Sequence, residues 1–268
     1  MKKIKYIYIG VLASAFLLGS CSDDFLKVEN PGGEPLEEYY TTDAHLQESV
    51  TAAYDPLHWP DWDGTAYNAL NIDAEIMGDD FFPGGGSITD NQHWHKLFNF
   101  EGDGNNTLST LWGDFYSGIK RCNDVLTYCA YDANKGNSNL PTYIEQARLL
   151  RVYYYNILWH YYGDIPFYLT NLSSPYQADQ ISADKVYENL IAEMEDILKN
   201  NVLPMRWDDA NAGRVSKAFA YMLYAELVMY QNDTQRYPQA LAYMKEIINS
   251  KDYRLMSNFA DIWKESGE

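Results

Sequence analysis

The stretch TYIEQARLLRVYYYNILWHYYGDIP, residues 142–166, decides the fold class of this 268-residue chain. Apolar and aromatic residues recur in it at spacings of three and four from Leu149 to Tyr161, which is the period of a helix that buries one side. Gly163 follows the last periodic residue, and Pro166 comes just behind it. A glycine stop followed by a proline is typical of a helix C-terminus. We therefore predict a helix over 142–162.

The same period predicts further helices on both sides of this stretch. Polar residues that can cap helix N-termini precede or open four of them, namely Asp43, Thr107, Ser182 and Ser216. The predicted segments are 43–57, 66–77, 108–131, one opened by Ser182, one opened by Ser216, and 237–250. Strand signals are sparse, so the predicted class is all-α. Consecutive helices with short connectors favour stacked antiparallel helix pairs of the tetratricopeptide-repeat type, although the sequence has no strict repeat period.

Two stretches interrupt the helical pattern. Residues 58–65, HWPDWDGT, are predicted to form a loop, and residues 78–106 carry glycine runs with aromatic residues between them. No regular period fits 78–106, so it is predicted to be a long loop-rich insertion. A loop of that length inside a compact domain is usually functional.

The N-terminus has the layout of a secretory signal, with three lysines before an apolar run over 6–18. That run of about 13 residues is too short to span a bilayer, which needs about 20. LGSC at 18–21 resembles the lipobox of bacterial lipoproteins, which predicts cleavage before Cys21 and lipidation of that residue. The alternative is an ordinary signal peptide followed by an incidental cysteine. The predicted organisation is a signal peptide over 1–20, a lipidated tether over 21–42 and a helical domain over 43–268.

The residues after Cys21 are Ser22, Asp23 and Asp24. Acidic residues at this place resemble the export tag that sends lipoproteins of Bacteroidetes to the outer face of the outer membrane. The alternative is a plain solvated tether.

Composition excludes several classes of ligand. The formal net charge is −18, so phosphates of nucleic acids and anionic head groups are repelled. Cys122 and Cys129 fall in one predicted helix, about 10.5 Å apart along its axis. Since a disulfide needs Cα atoms within about 7 Å, we predict that both remain thiols.

Three segments together carry a family resemblance. LWGDFY at 111–116 with RCN at 121–123, EQAR at 145–148 with YGDIP at 162–166, and GRVSKA at 213–218 are similar to motifs of the SusD/RagB family of nutrient-binding lipoproteins. CSDDFL at 21–26 resembles the usual opening of that family. The resemblance implies an outer-membrane lipoprotein that captures oligosaccharides or other nutrients for a SusC-like TonB-dependent transporter. Members are about twice as long, so the chain resembles their N-terminal portion.

Four aromatic residues are the candidate ligand contacts. Trp59, Trp62 and Trp94 stand beside His and Asp residues in predicted loops, and Phe82 lies in the Gly-rich stretch. Sugar faces stack on aromatic rings while polar neighbours bond their hydroxyls, and binding residues collect in loops. The alternative for each tryptophan is packing under its own loop.

Catalytic, metal and cofactor sites are not predicted. His93 and His95 lack a third ligand at zinc spacing, and Glu101, Asp103 and Asn105 lack the register of a calcium loop. Acidic pairs such as Asp208–Asp209 adjoin in sequence, whereas glycosidase carboxylates face each other across a substrate. A secreted glycan-active hydrolase and a helical scaffold for protein interactions are the alternative functions. Arg148, Arg151 and Asp164 are predicted to be structural, because charges in so aromatic a helix usually pair.

Overall fold

The computed structural model describes residues 33–59, 70–78, 80–103 and 108–264. The predicted signal peptide, Cys21 and Trp62 lie outside the described residues. The chain divides into two compact units between Tyr39 and Tyr40. The first unit contributes α1, Leu36–Tyr39, and the second contains the elements that follow.

The second unit is built from helices with one minimal sheet. The helices are α2 (Asp43–Tyr54), α3 (Leu70–Ile76), α4 (Gln92–Phe98), α5 (Ser109–Cys129), α6 (Leu140–Tyr162), α7 (Ala183–Asn200), α8 (Lys217–Tyr230) and α9 (Tyr237–Ser250). The strands β1 (Ile165–Pro166) and β2 (Gln180–Ile181) pair antiparallel, with Ile165 opposite Ile181. From α5 onward each helix packs on the next, so the all-α class with stacked helix pairs is confirmed.

The predicted helix caps are partly confirmed. The hydroxyls of Ser182 and Ser216 accept hydrogen bonds from the backbone of α7 and α8. The cap assigned to Asp43 is wrong, since the Thr42 hydroxyl accepts from His45 N at 3.3 Å instead. The Asp43 carboxylate accepts from Asn137, Asn139 and Tyr143. Thr107 lies outside the described residues.

Helix α4 was not predicted, and it places part of the predicted loop 78–106 in regular structure. It has seven residues, too few to show a helical period, and so short a helix is not stable by propensity alone. Its buried residues are His95 and Leu97. Tertiary packing therefore holds this helix.

The core runs between α5 and α6, which approach closely at Gly118. A Cβ on Gly118 would stand 2.6 Å from the ring of Tyr154, so only glycine fits there. The Tyr154 hydroxyl donates to Ala53 O of α2 at 2.7 Å. Gly163 ends α6 with a φ of +69°, as its place in the sequence predicts, because that region favours glycine.

A cluster of charges, here called the arginine knot, fastens α6 to α7. Arg148 bonds Glu145, Glu193 and Asp196, with its Nε 2.8 Å from Glu193 Oε1. Arg151 is 5% exposed and bonds Asn123, Leu169 O and Glu193. These contacts confirm the structural role predicted for both arginines.

Cys122 and Cys129 are both free thiols, as predicted. Burial raises the pKa of each thiol, for Cys129 to about 11. Within the described helices, none combines the length and hydropathy needed to cross a membrane.

Candidate functional site

Residues 80–103, here called the aromatic segment, contain two of the predicted ligand contacts, Phe82 and Trp94. Phe82 is 65% exposed and lies edge-on to Phe98 and His95 of α4, with centroid distances of 5.4 and 6.0 Å. Phe81 and Phe100 are exposed as well. The segment thus presents aromatic faces to solvent from a base formed by α4.

Trp94 has a different setting. It lies in α4 rather than in a loop, its ring is half-buried against the core, and its Nε1 donates to Asp73 Oδ1 of α3 at 3.0 Å. This bond ties α4 to α3. Ligand contact by Trp94 stays a prediction.

Asp73 is a fully buried carboxyl beneath this segment. Burial raises its pKa to about 7, and the Trp94 bond opposes that shift, because desolvation disfavours the charged form. In the described part of the chain, neither Asp73 Oδ2 nor the buried Nε2 of His95 has a hydrogen-bond partner. The base of the aromatic segment therefore holds two unpaired polar atoms.

Trp59 lies against a different helix. The Arg121 guanidinium of α5 stands 4.8 Å from the centroid of its ring, and Arg121 also bonds Ala52 O and Asp55. The structure therefore brings Phe82 against the helix that carries Trp94, while Trp59 lies on Arg121.

A second surface, here called the aromatic cleft, was not predicted. Its volume is about 650 Å³, and its lining includes Trp112, Tyr116, Tyr168, Leu172, Tyr176 and Asp179. An adjoining hollow of about 340 Å³ shares Tyr116, Tyr168, Leu172 and Tyr176 and reaches Lys120 and Asn171.

Helix α5 and the chain after β1 position the cleft. The Tyr116 hydroxyl donates to Pro166 O at 2.7 Å, and its ring stacks on Tyr168 with centroids 6.0 Å apart. The Tyr155 hydroxyl bonds both backbone N and O of Tyr168. In the sequence analysis, Trp112 and Tyr116 appear only in a predicted helix and in a family motif. The tyrosines after Gly163, where the helical period ends, are the sequence feature that could have indicated this cleft.

Among the residues considered for acidic and metal sites, Asp208 has a structural role. Asp208 Oδ1 accepts from Asn211 N at 3.0 Å and so caps a short 3-10 turn. Asn105 is not among the described residues. Over the ranges that the structure describes, no group of three His, Cys, Asp or Glu side chains could hold a metal ion.

Comparison with known proteins gives a consistent result. A SusD-like family model, described as "Starch-binding associating with outer membrane", matches residues 24–229. The curated SusD-like protein P2 of Formosa agariphila is 28% identical over 276 residues, covering 98% of this chain and 50% of that protein.

Solved structures extend the match. The surface glycan-binding protein A of Bacteroides uniformis is 56% identical, with a TM-score of 0.81 over 84% of this chain and 50% of that one. The surface glycan-binding protein A of Bacteroides thetaiotaomicron, in complex with laminarihexaose, is 49% identical, with a TM-score of 0.78 over 84% and 47%. The chain spans about half the length of these relatives.

Proposed function

The chain belongs to the SusD-like family, and we propose that it captures oligosaccharides at the outer face of the outer membrane and passes them to a SusC-like TonB-dependent transporter. The observation that carries this proposal is the laminarihexaose complex of a protein 49% identical over 84% of this chain. The proposal takes the protein to bind glycan without cleaving it.

The aromatic segment is the proposed glycan surface. Phe82 offers an exposed ring on which the C–H face of a pyranose stacks, and the half-buried Trp94 lies on α4, the helix whose His95 and Phe98 contact Phe82. Trp59 and Trp62 are proposed as further contacts, as the sequence predicted. A rigid base favours affinity, since rings that are already ordered lose little freedom on binding.

The lipid anchor is a separate proposal. We propose that residues 1–20 are removed and that Cys21 carries the acyl chains, because stable attachment needs them. Metabolic labelling with a fatty acid tests this. The label is expected in the wild type and absent in Cys21→Ser, and equal label in both would contradict it.

Surface exposure depends on the acidic pair after Cys21. Replacing Asp23 and Asp24 by Ala is expected to move the protein to an inward-facing leaflet. Protease added to intact cells should then degrade the wild type and spare the variant. Equal degradation of the two would sink this part of the proposal.

Calorimetry with laminarihexaose tests capture. The expected result is saturable binding, with the hexasaccharide recovered intact after prolonged incubation. Shorter products would support the hydrolase instead, and no binding to this or other neutral glycans would support the protein scaffold. Co-purification with a TonB-dependent barrel from the same cells tests the transporter partner.

A further inference from the structure

We propose that the aromatic cleft is a second contact surface for the neutral oligosaccharide. This inference rests on the proposed function.

The first argument is the supply of unused hydrogen-bonding groups. Among the residues that the structure describes, the indole of Trp112, the hydroxyls of Tyr168 and Tyr176 and the carboxylate of Asp179 have no side-chain hydrogen bond. Aromatic faces lie between these groups. Such a mixture suits a ligand with C–H faces and hydroxyl edges, which is the chemistry of a sugar.

The second argument is charge. Lys120, at the rim of the adjoining hollow, already pairs with Asp124 at 2.7 Å. Asp179 lines the cleft, and the whole chain is strongly acidic. An anionic ligand would meet no free cation from these groups, whereas a neutral polyol meets no penalty.

The third argument is rigidity and size. Trp112 packs against Tyr116 and edge-on against Tyr162, with centroids 4.8 and 4.9 Å away. The floor is therefore set before a ligand arrives. Its volume of about 650 Å³ falls within the roughly 300–1,000 Å³ of ligand pockets.

The fourth argument is position, since the C-terminal end of α6 contacts an element of each surface. Tyr162 contacts Trp112 of the cleft, and the neighbouring Tyr161 hydroxyl donates to Leu70 O of α3 at 3.0 Å. Helix α3 holds Asp73, the partner of Trp94. The same end of one helix therefore supports both surfaces.

Tyr176→Ala in the full protein tests the inference, with laminarihexaose as the probe. The Tyr176 side chain is 73% exposed, so its loss leaves the melting temperature unchanged. Affinity measured by calorimetry is expected to fall about fivefold. Phe259→Ala is the matched control, because that ring is 72% exposed and lines neither surface.

Hydrogen exchange gives an independent readout. Laminarihexaose is expected to slow backbone exchange over 166–179 in the wild type. The inference fails, while the proposed function stands, if three results are obtained together. These are that the wild type binds laminarihexaose, that Tyr176→Ala has the same affinity as Phe259→Ala, and that the ligand leaves exchange over 166–179 unchanged. If Tyr176→Ala weakens only co-purification with the transporter, the cleft contacts protein and the inference is overturned. If the wild type binds no glycan, both fail together.

Discussion

The arginine knot and the α3–α4 pair both bury polar side chains, but the knot pairs its charged groups with one another, whereas the buried carboxyl of Asp73 has no charged partner among the described residues. In the knot, Arg151 has three bonding partners and the carboxylate of Glu193 bonds two arginines, while the buried Nδ2 of Asn123 has no hydrogen-bond partner among the described residues. Under the aromatic segment, Asp73 has Trp94 as its partner and leaves Oδ2 unpaired among the described residues. Satisfied networks stabilise a fold, whereas an unpaired buried group costs free energy.

The two regions have different roles in the molecule. The arginine knot holds α6 against α7, and its charged groups form ion pairs with one another. The α3–α4 pair supports the exposed ring of Phe82 and leaves a buried carboxyl oxygen of Asp73 unpaired among the described residues. Four substitutions test the contrast.

The largest effect is expected for Arg151→Ala. It leaves Asn123 and Leu169 O without their buried donor and removes one of the two arginines that bond Glu193. Breaking a buried pair by removing one partner costs about 3–5 kcal/mol of unfolding free energy. Chemical denaturation measures it. The control Lys185→Ala removes an exposed pair with Glu188 on α7, worth about 0–1 kcal/mol, and equal losses in the two variants would refute the contrast.

Asp73→Asn is expected to remove a pH dependence. Because burial raises the folded pKa of Asp73 to about 7, the folded chain keeps a proton that the unfolded chain releases near pH 4. Stability from this group therefore falls as pH rises from about 4 to 7. As the pH rises from about 4 to 7, the unfolding free energy of Asp73→Asn should increase by on the order of 2–4 kcal/mol relative to that of the wild type.

Asp196→Asn gives the opposite sign as a control. The Arg148 hydrogen bond holds the pKa of Asp196 below its usual value, so this carboxylate stabilises the fold at neutral pH and loses that effect in acid. The variant should be less stable than the wild type at pH 7 and approach it at pH 3. Parallel pH profiles for the two aspartate variants would contradict the account.

A smaller loss is expected for Trp94→Phe. The variant keeps an aromatic ring but leaves the buried Asp73 carboxyl without its only described donor, which costs about 1–3 kcal/mol. Thermal melts measure the loss, and Trp263→Phe, at a 77% exposed position, is the control. A melting temperature for Trp94→Phe equal to that of the wild type would mean that the indole contributes to ligand binding and not to stability.

The smallest effect on the fold is expected for Phe82→Ala. The exposed ring contributes little to stability, while the loss of one stacking contact costs about 1 kcal/mol of binding free energy, or about fivefold in laminarihexaose affinity. Calorimetry and a melt on the same preparation separate the two quantities. Lower stability with unchanged affinity would assign Phe82 to the fold.

The sequence by itself determined the helices whose apolar period is long. The α6 prediction over 142–162 matches Leu140–Tyr162, and 237–250 matches α9 as predicted. It also predicted correctly that Cys122 and Cys129 do not form a disulfide. These features depend on spacing along one chain segment, where 3.6-residue periodicity and local caps carry the information.

Helix α4 and the aromatic cleft depend on tertiary structure alone. Helix α4 is too short to show a period, and its tryptophan is tied to Asp73, 21 residues earlier in the chain. The aromatic cleft joins α5 with tyrosines more than 50 residues later. Nothing in the local sequence of Trp112 indicates that Tyr168 and Tyr176 will stand beside it, because such contacts arise when helices pack and not when they form.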